Sequence, residues 1–198
     1  MKHGRLIVFE GPDGCGKTTL SQALAERLRE RGEPVHWSSF PGRDAGTLGH
    51  LVYRLHHDAH GLGIGSLTPL SLQTLHVAAH LDAIASRLRP QLESGCTIVL
   101  DRFWWSTWVY GVADGLEESV LDALIEVERR TWGPLLPDAV FVVRRTQPFR
   151  LEYPEKREAL NAAYERLHRR EGSHHRVAIL WNEGSVEETL AQAEAVLA

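Results

Sequence analysis

Residues Gly11-Pro12-Asp13-Gly14-Cys15-Gly16-Lys17-Thr18 fit the pattern G-x-x-x-x-G-K-[ST] at every fixed position. This run constrains the fold more than any other. Its glycines let backbone N–H groups turn inward around phosphate oxygens, and the turn needs a strand before it and a helix after it. Both flanks are present: Leu6-Ile7-Val8-Phe9-Glu10 leads in, and Thr-Thr-Leu-Ser-Gln-Ala-Leu-Ala-Glu-Arg-Leu leads out. The helix N-terminus adds partial positive charge. Lys17 can neutralise the β- and γ-phosphates of a nucleoside triphosphate, and the Thr18 hydroxyl can hold Mg²⁺. Gly11, Asp13, Gly14, Cys15, Gly16, Lys17, Thr18 and Thr19 are therefore the candidate cofactor-binding residues. The alternative, a Gly-rich turn with an exposed lysine, does not require the strand and helix that flank it here.

Strand-like and helix-like segments alternate along the 198 residues. Short β-rich runs lie at Arg5–Glu10, Val35–Ser39, Thr97–Asp101, Ala139–Val143 and Arg176–Trp181. Helical patterns lie at Thr18–Arg31, Thr47–His60, Pro69–Arg89, Leu116–Thr131, Pro154–Arg170 and Val186–Leu197. Five strands separated by helices predict an α/β protein, a doubly wound five-stranded parallel sheet with helices on both faces. In such sheets the ligand crevice lies beyond the carboxyl ends of the strands. No repeat or linker divides the chain, so one domain over 1–198 is expected. The formal charge of −4 gives no electrostatic basis for binding duplex nucleic acid or an anionic membrane. No apolar run approaches the roughly 18 residues of a membrane span, and the N-terminus runs into a strand rather than a signal-peptide core. Two cysteines, Cys15 and Cys96, cannot form a disulfide framework, which points to a reducing cytoplasm.

The strand Thr97–Asp101 ends in a carboxylate followed by Arg102. An acid there faces the phosphate loop, making Thr18 and Asp101 the candidate metal ligands. Arg102 can grip a phosphate bidentately.

Taken together these residues resemble the thymidylate kinase family of nucleoside monophosphate kinases. The family's opening strand and loop look like Phe9-Glu10-Gly11-Pro12-Asp13-Gly14-Cys15-Gly16-Lys17-Thr18-Thr19, and its F-P-x-R segment matches Phe40-Pro41-Gly42-Arg43. Its D-R-[YF]-x-x-S-x-x-x-Y pattern matches Asp101, Arg102, Phe103, Ser106 and Tyr110, and its P-D matches Pro137-Asp138. The similarity runs in order from about residue 5 to 145. The resemblance implies a P-loop kinase fold and transfer of the ATP γ-phosphoryl group, with Mg²⁺, to a nucleoside monophosphate in nucleotide biosynthesis. It implies that Arg43 and Arg102 hold the acceptor phosphate, that Asp13 contacts the sugar 3′-hydroxyl or the metal shell, and that Tyr110 packs on the sugar. Phe40, Ser106 and Thr107 fall on the acceptor side. The resemblance also implies a homodimer, which the tryptophans Trp104, Trp105 and Trp108 allow; packing in the core or at a subunit interface is their default reading.

Two segments depart from the family. His76 stands where relatives carry an aromatic that stacks on thymine, and His80 where they carry an arginine that bonds its carbonyl. An arginine-to-histidine change at a recognition position is not conservative, so the acceptor is read as dTMP or a related, modified pyrimidine nucleotide. A metal held by His76 and His80 lacks a third ligand, and a solvated helix face is the plainer reading. The lid segment, about 144–154, is shortened by roughly ten residues, with Pro148 and Pro154 leaving little room for a helix. Gly14 supplies no charge within the loop, so a cation for the transferring group is expected from Arg144, Arg145 or Arg150. With Lys17, Asp101 and Arg102 these complete the candidate catalytic set. His56, His57, His174 and His175 read as surface residues. The rival functions are a kinase for a nucleoside or other small molecule, and a nucleotide-binding accessory protein with weak or no transfer.

Overall fold

Near-continuous apolar runs make the strands. β1 (Leu6–Glu10) and β3 (Thr97–Asp101) are buried at every position, as central parallel strands covered on both faces must be. With β2 (Val35–Ser39), β4 (Ala139–Arg144) and β5 (Val177–Trp181) they form one parallel sheet in the order β2-β3-β1-β4-β5. The computed structural model describes residues 3–150 and 153–198.

Alternation along the strands sorts the core into two layers. Leu6, Val8, Ile98, Leu100, Val140 and Val142 face helices α3 (Pro69–Ala83), α5 (Trp104–Ala113), α6 (Glu118–Trp132) and α7 (Arg157–Glu171). Ile7, Phe9, Val99, Phe141 and Val143 face α1 (Lys17–Glu30) and α8 (Val186–Leu197) on the other side. All five expected strands and the doubly wound arrangement are found. Helix α2 (Leu48–Asp58) packs against α3 at the β2 side of the sheet.

Three elements differ in detail from their sequence patterns. The expected helix Pro69–Arg89 is α3 followed by a π turn at Ile84–Leu88 and a short α4 (Arg89–Glu93). Pro90 has no N–H to give the preceding turn, and the wider turn, with Arg89 N–H on the Ile84 carbonyl, accommodates it. The helix expected from Pro154 begins as a 3₁₀ turn, Pro154–Lys156, before α7. Helix α5 has no counterpart among the helical patterns. Trp104, Trp105 and Trp108 on it are each at most 2% exposed, buried within this chain's own core, so they supply no subunit interface.

From Arg145 to Arg150 the chain forms no helix, and Leu151 and Glu152 of the expected lid lie outside the described residues. Among the described residues, no helix is long and apolar enough to cross a membrane.

Candidate nucleotide site at the carboxyl edge of the sheet

β1 ends at Glu10, and the chain turns through residues 11–16 into α1. Gly14 has φ +76°, and a Cβ there would lie 2.1 Å from the Arg150 carbonyl oxygen, so only glycine fits this point of the loop. Lys17 is buried and donates from Nζ to the Pro12 carbonyl at 2.7 Å, folding its ammonium back over the loop. The Cys15 thiol, also buried, donates to the same carbonyl at 2.9 Å. Thr19 is exposed on the first turn of α1.

Parallel pairing places Asp101 beside Phe9, which brings the second carboxylate strand to the loop. Thr18 Oγ1 donates to Asp101 Oδ2 at 2.5 Å, and Asp101 Oδ1 is buried with no partner. An oxygen-only pair with one unpaired buried carboxylate oxygen fits a hard divalent cation, and no histidine or cysteine joins it: among the described residues no cluster of three or more His, Cys, Asp or Glu could hold a metal.

Arg102 follows with φ +73°, an uncommon conformation for a side chain of its size. It donates to Ser106 Oγ at 2.8 Å and pairs with Asp13, and its guanidinium lies 5.4 Å from the centre of the Tyr110 ring. The Tyr110 hydroxyl donates to the other Asp13 oxygen. Burial works to raise the Asp13 carboxyl, but the Arg102 guanidinium, the Lys17 ammonium and the Tyr110 hydroxyl together overcome it and hold it at about 2. Burial likewise pushes the Tyr110 hydroxyl up. Arg102, Asp13, Tyr110 and Lys17 thus form one charged patch at the loop's mouth.

The remaining candidate acceptor-side residues occupy a second group. Phe40 is buried and stacks on His80, with ring centres 3.9 Å apart and 13° between planes. His80 is only 2% exposed, which excludes the solvated-face reading, and its Nδ1 meets Glu128 Oε2 of α6 at 2.8 Å. His76 Nε2 lies 2.6 Å from His56 Nε2 of α2. Burial lowers both, His76 well below the usual imidazole range, so one ring donates and the other accepts. Thr107 is buried in α5. Arg43 lies on the exposed turn after Pro41, its guanidinium 4.7 Å from the centre of the Tyr53 ring. Of the four histidines expected at the surface, His56, His57 and His174 are exposed, while His175 turns inward beside Glu171, its side chain 6% exposed.

The lid arginines do three different things. Arg144 donates to Glu165 of α7 at 3.0 Å, with Nε and Nη2 buried and unpaired. Arg145 donates to the Gln147 carbonyl at 2.8 Å and to the Asn182 carbonyl, with its guanidinium 4.0 Å from the centre of the Phe149 ring. Arg150 lies against the loop itself: its backbone abuts Gly14, the preceding Phe149 N–H donates to the Gly14 carbonyl at 2.9 Å, and its charge helps keep Asp13 ionised. A cavity of about 320 Å³ opens beneath this strap, lined by Asp13, Tyr110, Arg145, Arg157, Asn161 and Trp181.

Four residues at the site were given no individual role by the sequence, although Glu10 stands within the family's opening motif. Asn182, after β5, donates from Nδ2 to the Cys15 carbonyl at 2.8 Å and clasps the phosphate loop from below. Glu10 and Tyr164 are buried beside Gly11, and Glu128 is buried behind His80. Glu10 closes an apolar strand and Tyr164 lies on the apolar face of a helix, whereas Glu128 and Asn182 stand among other polar residues; burial and partners identify all four. The turn Trp181–Ser185 ends in a capping box, with Ser185 accepting from Glu188 N–H and Glu188 accepting from Ser185 N–H.

A glycine-rich loop of the phosphate-binding pattern at the end of β1, beside a carboxylate at the end of β3, places the chain in the P-loop class of α/β proteins. The family model described as thymidylate kinase matches residues 9–185. The chain belongs to the thymidylate kinase family. It is 35% identical over 179 residues to a thymidylate kinase of Chlamydia muridarum, covering 87% of this chain and 80% of that one. It is also 35% identical over 139 residues to a thymidylate kinase of Chlorobium luteolum, where the match covers 69% of this chain and 60% of the relative. Among solved structures, thymidylate kinase from Ehrlichia chaffeensis superposes with a TM-score of 0.81 at 22% identity, covering 99% of this chain and 100% of that one. Thymidylate kinase from Candida albicans superposes with a TM-score of 0.73 at 17% identity, covering 98% and 91%.

Proposed function

We propose that the chain transfers the γ-phosphoryl group of ATP to a nucleoside monophosphate, dTMP or a related pyrimidine nucleotide, yielding ADP and the diphosphate. The observation that carries this is the direct bond between Thr18 and Asp101, which joins the phosphate loop to the Asp-Arg strand, whose Arg102 pairs with Asp13 of the same loop. The relatives' shared name supports the same acceptor.

Thr18 and Asp101 would hold Mg²⁺, which when bound neutralises phosphate charge as it develops. The loop amides and Lys17 bind the triphosphate. Arg102 and Arg43 bind the acceptor phosphate, Asp13 and Tyr110 its sugar, and Phe40, His76, His80 and Thr107 the base end. An ionised acceptor phosphate needs no strong general base, so catalysis rests on positioning and charge. Of the three lid arginines Arg150 is the one that covers the transferring group, because its backbone is seated on Gly14, while Arg144 and Arg145 fasten the strap to α7 and to Asn182. The chain works as one kinase domain over 1–198 with a short lid at 144–154, in the reducing cytoplasm that its free Cys15 and Cys96 suit.

The test is a panel of nucleosides and nucleoside monophosphates incubated with ATP and Mg²⁺, following ADP. Expected is turnover with dTMP or a close pyrimidine monophosphate. Turnover of unphosphorylated acceptors alone, or tight ATP binding with no ADP from any acceptor, overturns the reading.

A further inference from the structure

Glu10 has no role in the transfer chemistry above, yet it is wholly buried at the end of β1, next to the phosphate loop. Its Oε1 accepts the backbone N–H groups of Phe103 at 2.6 Å and Ser106 at 3.0 Å, at the start of α5. The Phe103 N–H is an amide that a helix start otherwise leaves unpaired, and the Ser106 N–H is shared between Glu10 and the Phe103 carbonyl at 3.1 Å. Its Oε2 accepts the Ser106 hydroxyl at 2.7 Å, the Tyr164 hydroxyl at 2.9 Å and the Gly11 N–H at 3.3 Å.

The direction of these bonds matters more than their number. Burial pushes the Glu10 carboxyl up against the pull of Arg102 and of the donors around it. Ionised, it only accepts, and the Ser106 proton goes to Oε2 at 2.7 Å rather than to the Tyr164 oxygen at 3.3 Å. The Ser106 oxygen is then left as an acceptor, and Arg102 Nη1 donates to it at 2.8 Å. The guanidinium is therefore gripped from two sides, by Asp13 on the loop and by Ser106, whose polarity Glu10 sets. Tyr164 brings in a third element. It sits on α7, the helix after the lid segment, and its hydroxyl lies 2.9 Å from Glu10 Oε2 and 3.1 Å from the Gly11 carbonyl.

The geometry points to a buried positioning relay, Tyr164–Glu10–Ser106, that aims the Arg102 guanidinium at the acceptor phosphate and fixes α7 against the mouth of the phosphate loop. This rests on the acceptor role given to Arg102 above. None of the three touches the reacting atoms; each acts through Arg102 or through Gly11.

Tyr164→Phe, Glu10→Gln and the double variant test it in steady-state kinetics, alongside thermal unfolding. Tyr164→Phe keeps the ring that fills the core and removes one hydroxyl. It is expected to lower kcat about tenfold and to raise the KM for dTMP, with the KM for ATP changed by less than about twofold, as a small misplacement of a substrate-holding group does. Glu10→Gln puts an amide donor opposite the Ser106 and Tyr164 hydroxyls and is expected to be worse. Because the relay acts as a unit, the double variant is expected to match Glu10→Gln alone. If Glu10→Gln does not fold, Ser106→Ala replaces it, since it removes the same acceptor from Arg102. A Tyr164→Phe protein with a lowered Tm but unchanged kcat and KM at a temperature where it is folded overturns the relay, as does strict additivity in the double variant. A parent chain inactive toward every monophosphate overturns the kinase reading and the relay with it, whereas an active parent with an unaffected Tyr164→Phe overturns the relay alone.

Discussion

Asp13 stays ionised far below neutrality because Arg102, Lys17 and Tyr110 outweigh the cost of burying it. Its folded pKa of about 2 lies below the ordinary value of 3.8, so the unfolded chain binds the proton first as the pH falls. The stabilisation, on the order of 2 kcal/mol, is present above about pH 4 and is lost as the pH drops toward 2. In urea unfolding between pH 5 and pH 3, the advantage of the parent over Asp13→Asn should narrow as acid is added; a constant gap would place its origin elsewhere. Lys17 lies at the loop and serves the ligand more than the core, so Lys17→Ala should abolish ADP formation while circular dichroism stays that of the parent. Unchanged turnover in that variant counts directly against the mechanism. Arg43→Ala should raise the KM for the acceptor far more than that for ATP, and equal effects would remove Arg43 from the acceptor site.

At the scale of elements, the strap and the loop are fitted to each other at Gly14. An alanine there meets the Arg150 carbonyl and must hold φ +76°, so Gly14→Ala should displace the strap and speed proteolysis near residue 150 relative to the parent. A proteolysis pattern identical to the parent's would separate strap from loop. The strands were legible because buried parallel strands are runs of Ile, Val, Leu and Phe, and most helices because their apolar residues recur at helical spacing. Helix α5 was not. With tryptophans at 104, 105 and 108 it is buried almost all round, so no polar stripe betrays a period, and its N-terminal amides are paired by Glu10, a residue of β1. Only tertiary structure supplies that cap.

For the whole molecule, ligand binding and stability are linked. If ATP·Mg binds the folded chain alone, a concentration of 100 times Kd adds about 2.7 kcal/mol. For a domain of this size that is a rise of roughly 5–10 °C in Tm, and it should vanish in Lys17→Ala. A shift retained in the variant would locate nucleotide binding away from the loop. The phosphate loop and the Asp-Arg strand were legible because they are contiguous motifs tied to a strand end. The buried groups that brace them, Glu10, Tyr164 and Asn182, are scattered from the first strand to the last, and no local pattern links them. His80 looked like a recognition side chain by position, and its carboxylate partner Glu128 lies 48 residues away on another helix.

Asn182 carries a consequence for how the chain is made. The glycine-rich loop follows β1, but the amide that clasps it from beneath is supplied after β5. A ribosome must therefore translate past position 182 before the loop has its brace. Until then the nascent chain carries the loop motif unclasped, 167 residues ahead of the amide that holds it.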